Sequence, residues 1–75
     1  MNLFELQSGK KCLIDKITIT GSMRRRLLDL GLAPNTKVEC VGKSPLGDQK
    51  AFLIRGAVIA LREETCQKIF IKDVI

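Results

Sequence analysis

Turn-forming residues recur along this chain so closely that no element between them can be long. Ser8-Gly9 makes a turn, Gly31 to Pro34 a corner, Pro45-Leu46-Gly47-Asp48 a second turn, and Arg55-Gly56 a tight one. Glycine reaches backbone conformations closed to other residues, and proline presets φ while removing a donor. The segments between are short, and the whole chain is 75 residues. That is one domain, residues 1–75, with no room for a second core.

Between the turns the apolar residues mostly alternate. In Lys10–Ile17, Cys12 and Ile14 share one face. In Thr36–Val41, Val38 and Cys40 alternate with Lys37 and Glu39. Lys50–Arg55 and Ala57–Arg62 form a hairpin with its turn near Gly56. Glu63–Gln67 is a short helical corner, and Lys68–Ile75 closes the chain with Ile69 and Ile71 on one face. One segment departs from this period. Met23, Leu27 and Leu30 recur at i, i+4 and i+7, which predicts one helical stripe facing the core. Ser22 is the predicted N-cap. Gly31 is the left-handed residue that ends the helix, Leu32 folds back on its last turn, and Pro34 forbids continuation.

Five short strands, one short helix and tight turns predict an all-β domain: a small, strongly bent antiparallel barrel of SH3-like or OB-like type. Closure would remove its exposed edges.

Composition narrows the function. There is no histidine, so the commonest general base is missing, and no glycine-rich phosphate loop is present. No catalytic residues are assigned. The three cysteines, Cys12, Cys40 and Cys66, have no C-x-x-C spacing, so reduced buried thiols are expected, with no metal site and no cofactor. No apolar run is long enough to span a bilayer, and the start turns polar at once, so a cytoplasmic protein without membrane insertion is expected. With no Trp, no Tyr and three scattered Phe, neither a Pro-rich-peptide groove nor a base-stacking platform can be built.

A formal charge of +5 and Arg24-Arg25-Arg26 leave three readings of the helix start: a solvated face, a protein-docking patch, or a nucleic-acid surface. At about 100° per residue the arginines fan around the helix instead of lining one exposed stripe, which disfavours groove reading. Arg24, Arg25 and Leu28 make the candidate docking patch, since arginine beside an apolar anchor suits a protein interface. A small basic nucleic-acid-binding barrel or regulatory domain is the alternative. The hairpin is apolar on both faces, Phe52 and Ile54 on one and Ala51 and Leu53 on the other, so any uncovered side is a second partner surface. A weak homo-oligomer is compatible with this pattern.

The run from Leu27 to Ile71 resembles the FeoA family. Leu27, Leu30, Gly31, Leu32 and Pro34 match its Leu-x-x-Leu-Gly-Leu-x-Pro-Gly corner. Pro45, Gly47 and Asp48 match its Pro-x-Gly-Asp-Pro turn, and Gly56, Ala60, Leu61 and Arg62 match its hairpin. Asn35 replaces the corner's last glycine, and Asn tolerates positive φ better than most residues. Gln49 stands where proline is common. The resemblance implies an SH3-like barrel of bacterial cytosolic proteins tied to ferrous iron uptake. It implies a partner, FeoB, a membrane transporter with a cytosolic GTP-binding domain, and a location peripheral to the inner membrane through that partner. Similar domains are fused to FeoB or to metal-dependent repressors. The motif carries no catalytic or iron-ligand residues.

Overall fold

Arg55 and Gly56 both have positive φ, 50° and 82°, in the computed structural model, which describes residues 1–75. Two consecutive left-handed residues make the hairpin turn whose twist matches that of paired strands. The sequence places this conformational freedom on Gly56 alone; Arg55 shares it because the two-residue turn demands both. The turn joins β3 (Gln49–Ile54) to β4 (Ala57–Arg62) in unbroken register from Ile54 opposite Ala57 to Gln49 opposite Arg62.

Two further strands, β1 (Lys11–Ile17) and β2 (Lys37–Lys43), and β5 (Ile69–Lys72) complete an antiparallel sheet in the order β4-β3-β2-β1-β5. Register shifts at Cys40/Gly42 in β2 and at Ile14/Lys16 in β1 mark irregularities that bend such a sheet. The bent sheet is SH3-like but does not close. β4 and β5 do not pair, and the four-residue helix α2 (Glu63–Cys66) joins them. The expected closure therefore fails: the helical corner α2 separates β4 from β5, and β5 pairs with β1 instead.

Alternation sets the core. Cys12, Ile14, Val38, Cys40, Phe52, Ile54, Ile69 and Ile71 point inward and are buried. The strand readings at the sequence level hold here. The lid over this face comes from two places. One is the corner, through Leu27 and Leu32. The other is the N-terminal segment, through Leu3 and Leu6.

Helix α1 (Gly21–Asp29) corrects two expectations. Ser22 is not the N-cap. The helix starts at Gly21, which carries φ 75°, Thr20 takes the cap position in extended geometry without a side-chain bond, and Ser22 sits within the first turn. Nor does the whole stripe face inward. Leu27 is buried, Leu30 is half-buried, and Met23 is 43% exposed. The helix is only nine residues long and meets the core at its C-terminal end, so its first turn projects past the sheet.

The C-terminal end follows the sequence reading closely. Gly31, at φ 104°, donates to the Leu28 carbonyl at 3.0 Å, and Leu32 donates to the Leu27 carbonyl at 3.0 Å. These two bonds are the Schellman pattern, and the buried Leu27–Leu32 pair is its apolar contact. Asn35 at φ 68° then donates to the Ile14 carbonyl at 2.7 Å, which ties the corner to β1.

The opening segment forms a 3₁₀ turn, Leu3–Glu5, that the sequence reading left without an element. Its signal is present: Asn2 and Glu5 have capping-box spacing. The Asn2 carboxamide accepts from the Phe4 amide at 2.9 Å, and the Glu5 carboxylate accepts from the Asn2 amide at 2.8 Å. Lys50 holds the far end. Its ammonium donates to the carbonyls of Phe4 (2.5 Å) and Leu6 (3.1 Å) and lies 4.8 Å from the Phe4 ring centroid. In register Lys50 stands opposite Leu61, on the inner side of the sheet. Its stem follows the core edge while the charge meets the orphan carbonyls of a helical end.

Gly31→Val tests the corner. A Cβ at Gly31 would lie 2.8 Å from Arg55 Cδ and 3.2 Å from Ile54 Cγ2, besides the left-handed backbone. The expected cost is at least about 1–2 kcal/mol. At about 4–8 °C per kcal/mol for a domain this small, melting should fall by several degrees. An unchanged melting curve would show that the helix end does not depend on this conformation.

Candidate docking surface

Because the first turn of α1 projects past the sheet, it is open to solvent, and Leu28 in the second turn is exposed beside the buried Leu27. Arg24, Arg25 and Leu28 are all exposed, Leu28 by 36%. With Gly21 and Asp29 they line a shallow concavity of about 360 Å³. The i, i+4 spacing of Gly21, Arg25 and Asp29, and of Arg24 and Leu28, puts all five on adjoining rows of the helix. Gly21 has no side chain, which leaves the floor of the concavity low. Arg24 is also anchored, donating from Nη1 to the Ile17 carbonyl at 3.1 Å. One arginine is thus held at the end of β1 and the other is free, with an apolar residue between them. Met23 extends the exposed apolar area beyond the residues picked from the sequence.

The other singled-out residues do not converge on this surface. They make the corners. Gly31, Pro34 and Asn35 form the bend after α1. Pro45, Gly47 and Asp48 form the β2–β3 turn, in which the Ser44 hydroxyl donates to Asp48 Oδ1 at 2.8 Å and the Gly47 amide donates to the Ser44 carbonyl at 2.9 Å. Gly56 sits in the hairpin turn, and Arg62 ends β4.

A second concavity, of about 370 Å³, lies on the outer face of the sheet, where Lys11, Lys37 and Arg55 surround Glu39 and Leu53. These residues come from three separate segments. Only the register Lys11–Glu39–Leu53 across β1, β2 and β3 brings them together, so no local motif signals them.

The interior holds no candidate ligand set. No group of three or more Cys, Asp or Glu side chains is placed to hold a metal ion. All three thiols are free and buried. Burial pushes the Cys12 thiol up to about 11, with Cys40 adding to the rise. Burial likewise pushes Cys66 up to about 12, Lys50 opposing and Cys40 and Glu63 adding. A thiol is a nucleophile or metal ligand only as thiolate, so Cys12 and Cys66 are inert near neutrality. Cys66 Sγ points at the Leu61 carbonyl at 3.9 Å, as a weak donor inside a core does.

The family model for the FeoA domain matches residues 1–73. No curated protein sequence matches the chain. Among solved structures, FeoA from Chlorobium tepidum is 30% identical with a TM-score of 0.89, over 95% of this chain and 68% of that one. Iron(II) transport protein A from Clostridium thermocellum is 28% identical with a TM-score of 0.90, over 96% of this chain and 44% of that one. The zinc complex of Stenotrophomonas maltophilia FeoA, a prokaryotic SH3 domain protein, is 22% identical with a TM-score of 0.84, over 96% of this chain and 89% of that one. No helix of the chain is long and apolar enough to cross a membrane.

Two predictions follow from the thiols. Calorimetric titration of the reduced protein with Fe²⁺ or Zn²⁺ should give no stoichiometric isotherm; a micromolar one-to-one isotherm lost on Cys→Ser substitution would contradict this. The second concerns alkali. Cys12 and Cys66 hold their protons in the folded chain to a higher pH than in the unfolded one, so their contribution to stability is intact below pH 9.0 and is lost as pH rises toward about 11 and about 12. The melting temperature should therefore fall across that window, and its slope against pH should be shallower in Cys66→Ala. Equal slopes would remove Cys66 as a cause.

Proposed function

The chain belongs to the FeoA family, and on that premise we propose that it serves ferrous iron transport as an accessory protein that binds the cytosolic region of a FeoB-type transporter. The observation that carries this reading is the family match over residues 1–73, which spans every element of the fold. The docking residues proposed are Arg24, Arg25 and Leu28. An anchored arginine, a free arginine and an apolar residue around one concavity form the kind of mixed patch in which arginine anchors are favoured. The role asks no bond making or breaking of the chain. It asks for a rigid surface, which the corner and the sheet supply. The Stenotrophomonas relative is described as a candidate activating factor for ferrous iron transport, a role of the same kind.

The test is charge reversal. Arg24→Glu with Arg25→Glu should leave the circular dichroism spectrum unchanged and the melting point close to that of the parent, since the one bond lost, from Arg24 to Ile17, is exposed and worth about 1 kcal/mol or less. Affinity for the purified cytosolic region of the transporter should drop at least about tenfold, and iron-limited growth should fall with it. Leu28→Glu should act in the same direction without touching the Ile17 contact. Variants that fold and bind with parental affinity would move the docking surface elsewhere.

A further inference from the structure

The two edges of the sheet are treated differently. The outer edge of β5 is occupied: Asn2 bridges Phe70, and the Ile71 amide donates to the Met1 carbonyl at 2.9 Å. The outer edge of β4 has no strand beside it. The hairpin turn decides which groups are free there. Ile54 and Ala57 close a two-residue turn, so they form a hydrogen-bonded pair, and Ala57, Ile59 and Leu61 aim their amides and carbonyls at β3. Val58, Ala60 and Arg62 aim theirs outward. Natural edges are guarded by charged side chains, proline, bulges or inward charges. β4 carries only one such guard, Arg62 at its last position. It runs Ala-Val-Ile-Ala-Leu-Arg in unbroken register, with Val58 65% exposed.

We propose that β4 is a self-association edge: a second copy of this chain pairs its own β4 antiparallel to it, about a twofold axis at Ala60, continuing the sheet from one copy into the other. Three observations favour a second copy. The outward groups are symmetric about Ala60, so Val58 pairs with Arg62 of the second copy and Ala60 with its twin, and every free amide and carbonyl of the strand is matched. On the inner face Ile59, half-buried at the rim of the core, comes opposite Leu61 of the second copy, so the pairing joins two cores. The charges also agree. Arg55 precedes the strand and Glu63 and Glu64 follow it. Antiparallel pairing brings the acidic start of α2 next to the basic turn of the other copy, twice. The two Arg62 side chains stand about 14 Å apart along the strands, beyond the screening length of about 8 Å. A six-residue edge buries little area, so the dimer is weak, with a dissociation constant on the order of 100 µM. This association is independent of the docking role of α1, which lies on a different element.

Sedimentation equilibrium of the full chain over rising concentration tests it. The mean mass should climb from one copy toward two, with concentration-dependent amide shifts at Val58, Ala60 and Arg62. Ala60→Pro removes only an outward amide, which an edge strand tolerates. Ala60→Lys sets two cations face to face at the axis. Each should raise the dissociation constant at least about tenfold while the dilute protein melts as the parent does. If Ala60→Pro fails to fold, Ala60→Lys gives the same reading. A parent that stays at the mass of one copy up to about 1 mM would overturn the proposal. So would association that persists in folded Ala60→Lys, or a monomeric parent that takes an added extended peptide on β4 instead.

Discussion

Two hydrogen bonds at the end of α1, from Gly31 to Leu28 and from Leu32 to Leu27, turn the chain back toward the sheet, and the rest of the molecule depends on that reversal. They require a left-handed residue at position 31 and an apolar one at position 32. Leu27 and Leu32 then enter the same buried core as Val38, Phe52 and Ile54. Because the anchor is at the C-terminal end, the N-terminal end of α1 is free of the core. The exposed arginine surface is the other consequence of the same corner.

A second lid closes the rest of the inner face. Leu3 and Leu6 come from a 3₁₀ turn too short to stand alone, and it is held at both ends by polar contacts. Asn2 and Glu5 satisfy the amides at its start, and Lys50 reaches across from β3 to satisfy the carbonyls at its end. A lysine on the inward side of a strand would be a fault in a fully closed barrel. Here Lys50 is paired on both sides within the sheet, and its side chain reaches the carbonyls of Phe4 and Leu6 at the end of the 3₁₀ turn, so the stem is covered and the charge is used. The open end of the sheet leaves β4 bare. The N-terminal segment that seals the core also seals the edge of β5, and nothing comparable reaches β4.

An accessory role in ferrous iron transport fits this construction because its demands are geometric. The interior is apolar, with Cys12 and Cys66 kept protonated by burial, and no group of three or more Cys, Asp or Glu side chains is placed to hold a metal ion. The chemistry available to the molecule is on its surface: arginines on α1, cations around Glu39 on the sheet, and unpaired backbone on β4. They lie on different elements.

Local rules in the sequence determined what short-range physics controls. Period-two alternation placed Cys12, Ile14, Val38, Cys40, Ile69 and Ile71 inside, and turn chemistry located the corners at Gly31–Pro34, Pro45–Asp48 and Gly56, while the positive φ of Asn35 was legible only from the glycine it replaces in the family corner. The order of the motif residues was enough to indicate the family. Only the tertiary structure decided what depends on distant partners. Met23 has the right spacing for a core position but extends beyond the sheet that would cover it. Ser22 has the right chemistry for a cap, but the cap position falls on Thr20, two residues earlier. Lys50 reads as an ordinary strand lysine until the carbonyls of Phe4 and Leu6 are brought to it. Closure of the sheet could not be read either, because strand alternation specifies which face is buried and is silent on whether β4 and β5 ever meet. The arginine surface falls between the two cases. Its residues were legible from helical geometry, while its concavity exists because the packing of Leu27 and Leu32 leaves the other end of α1 uncovered.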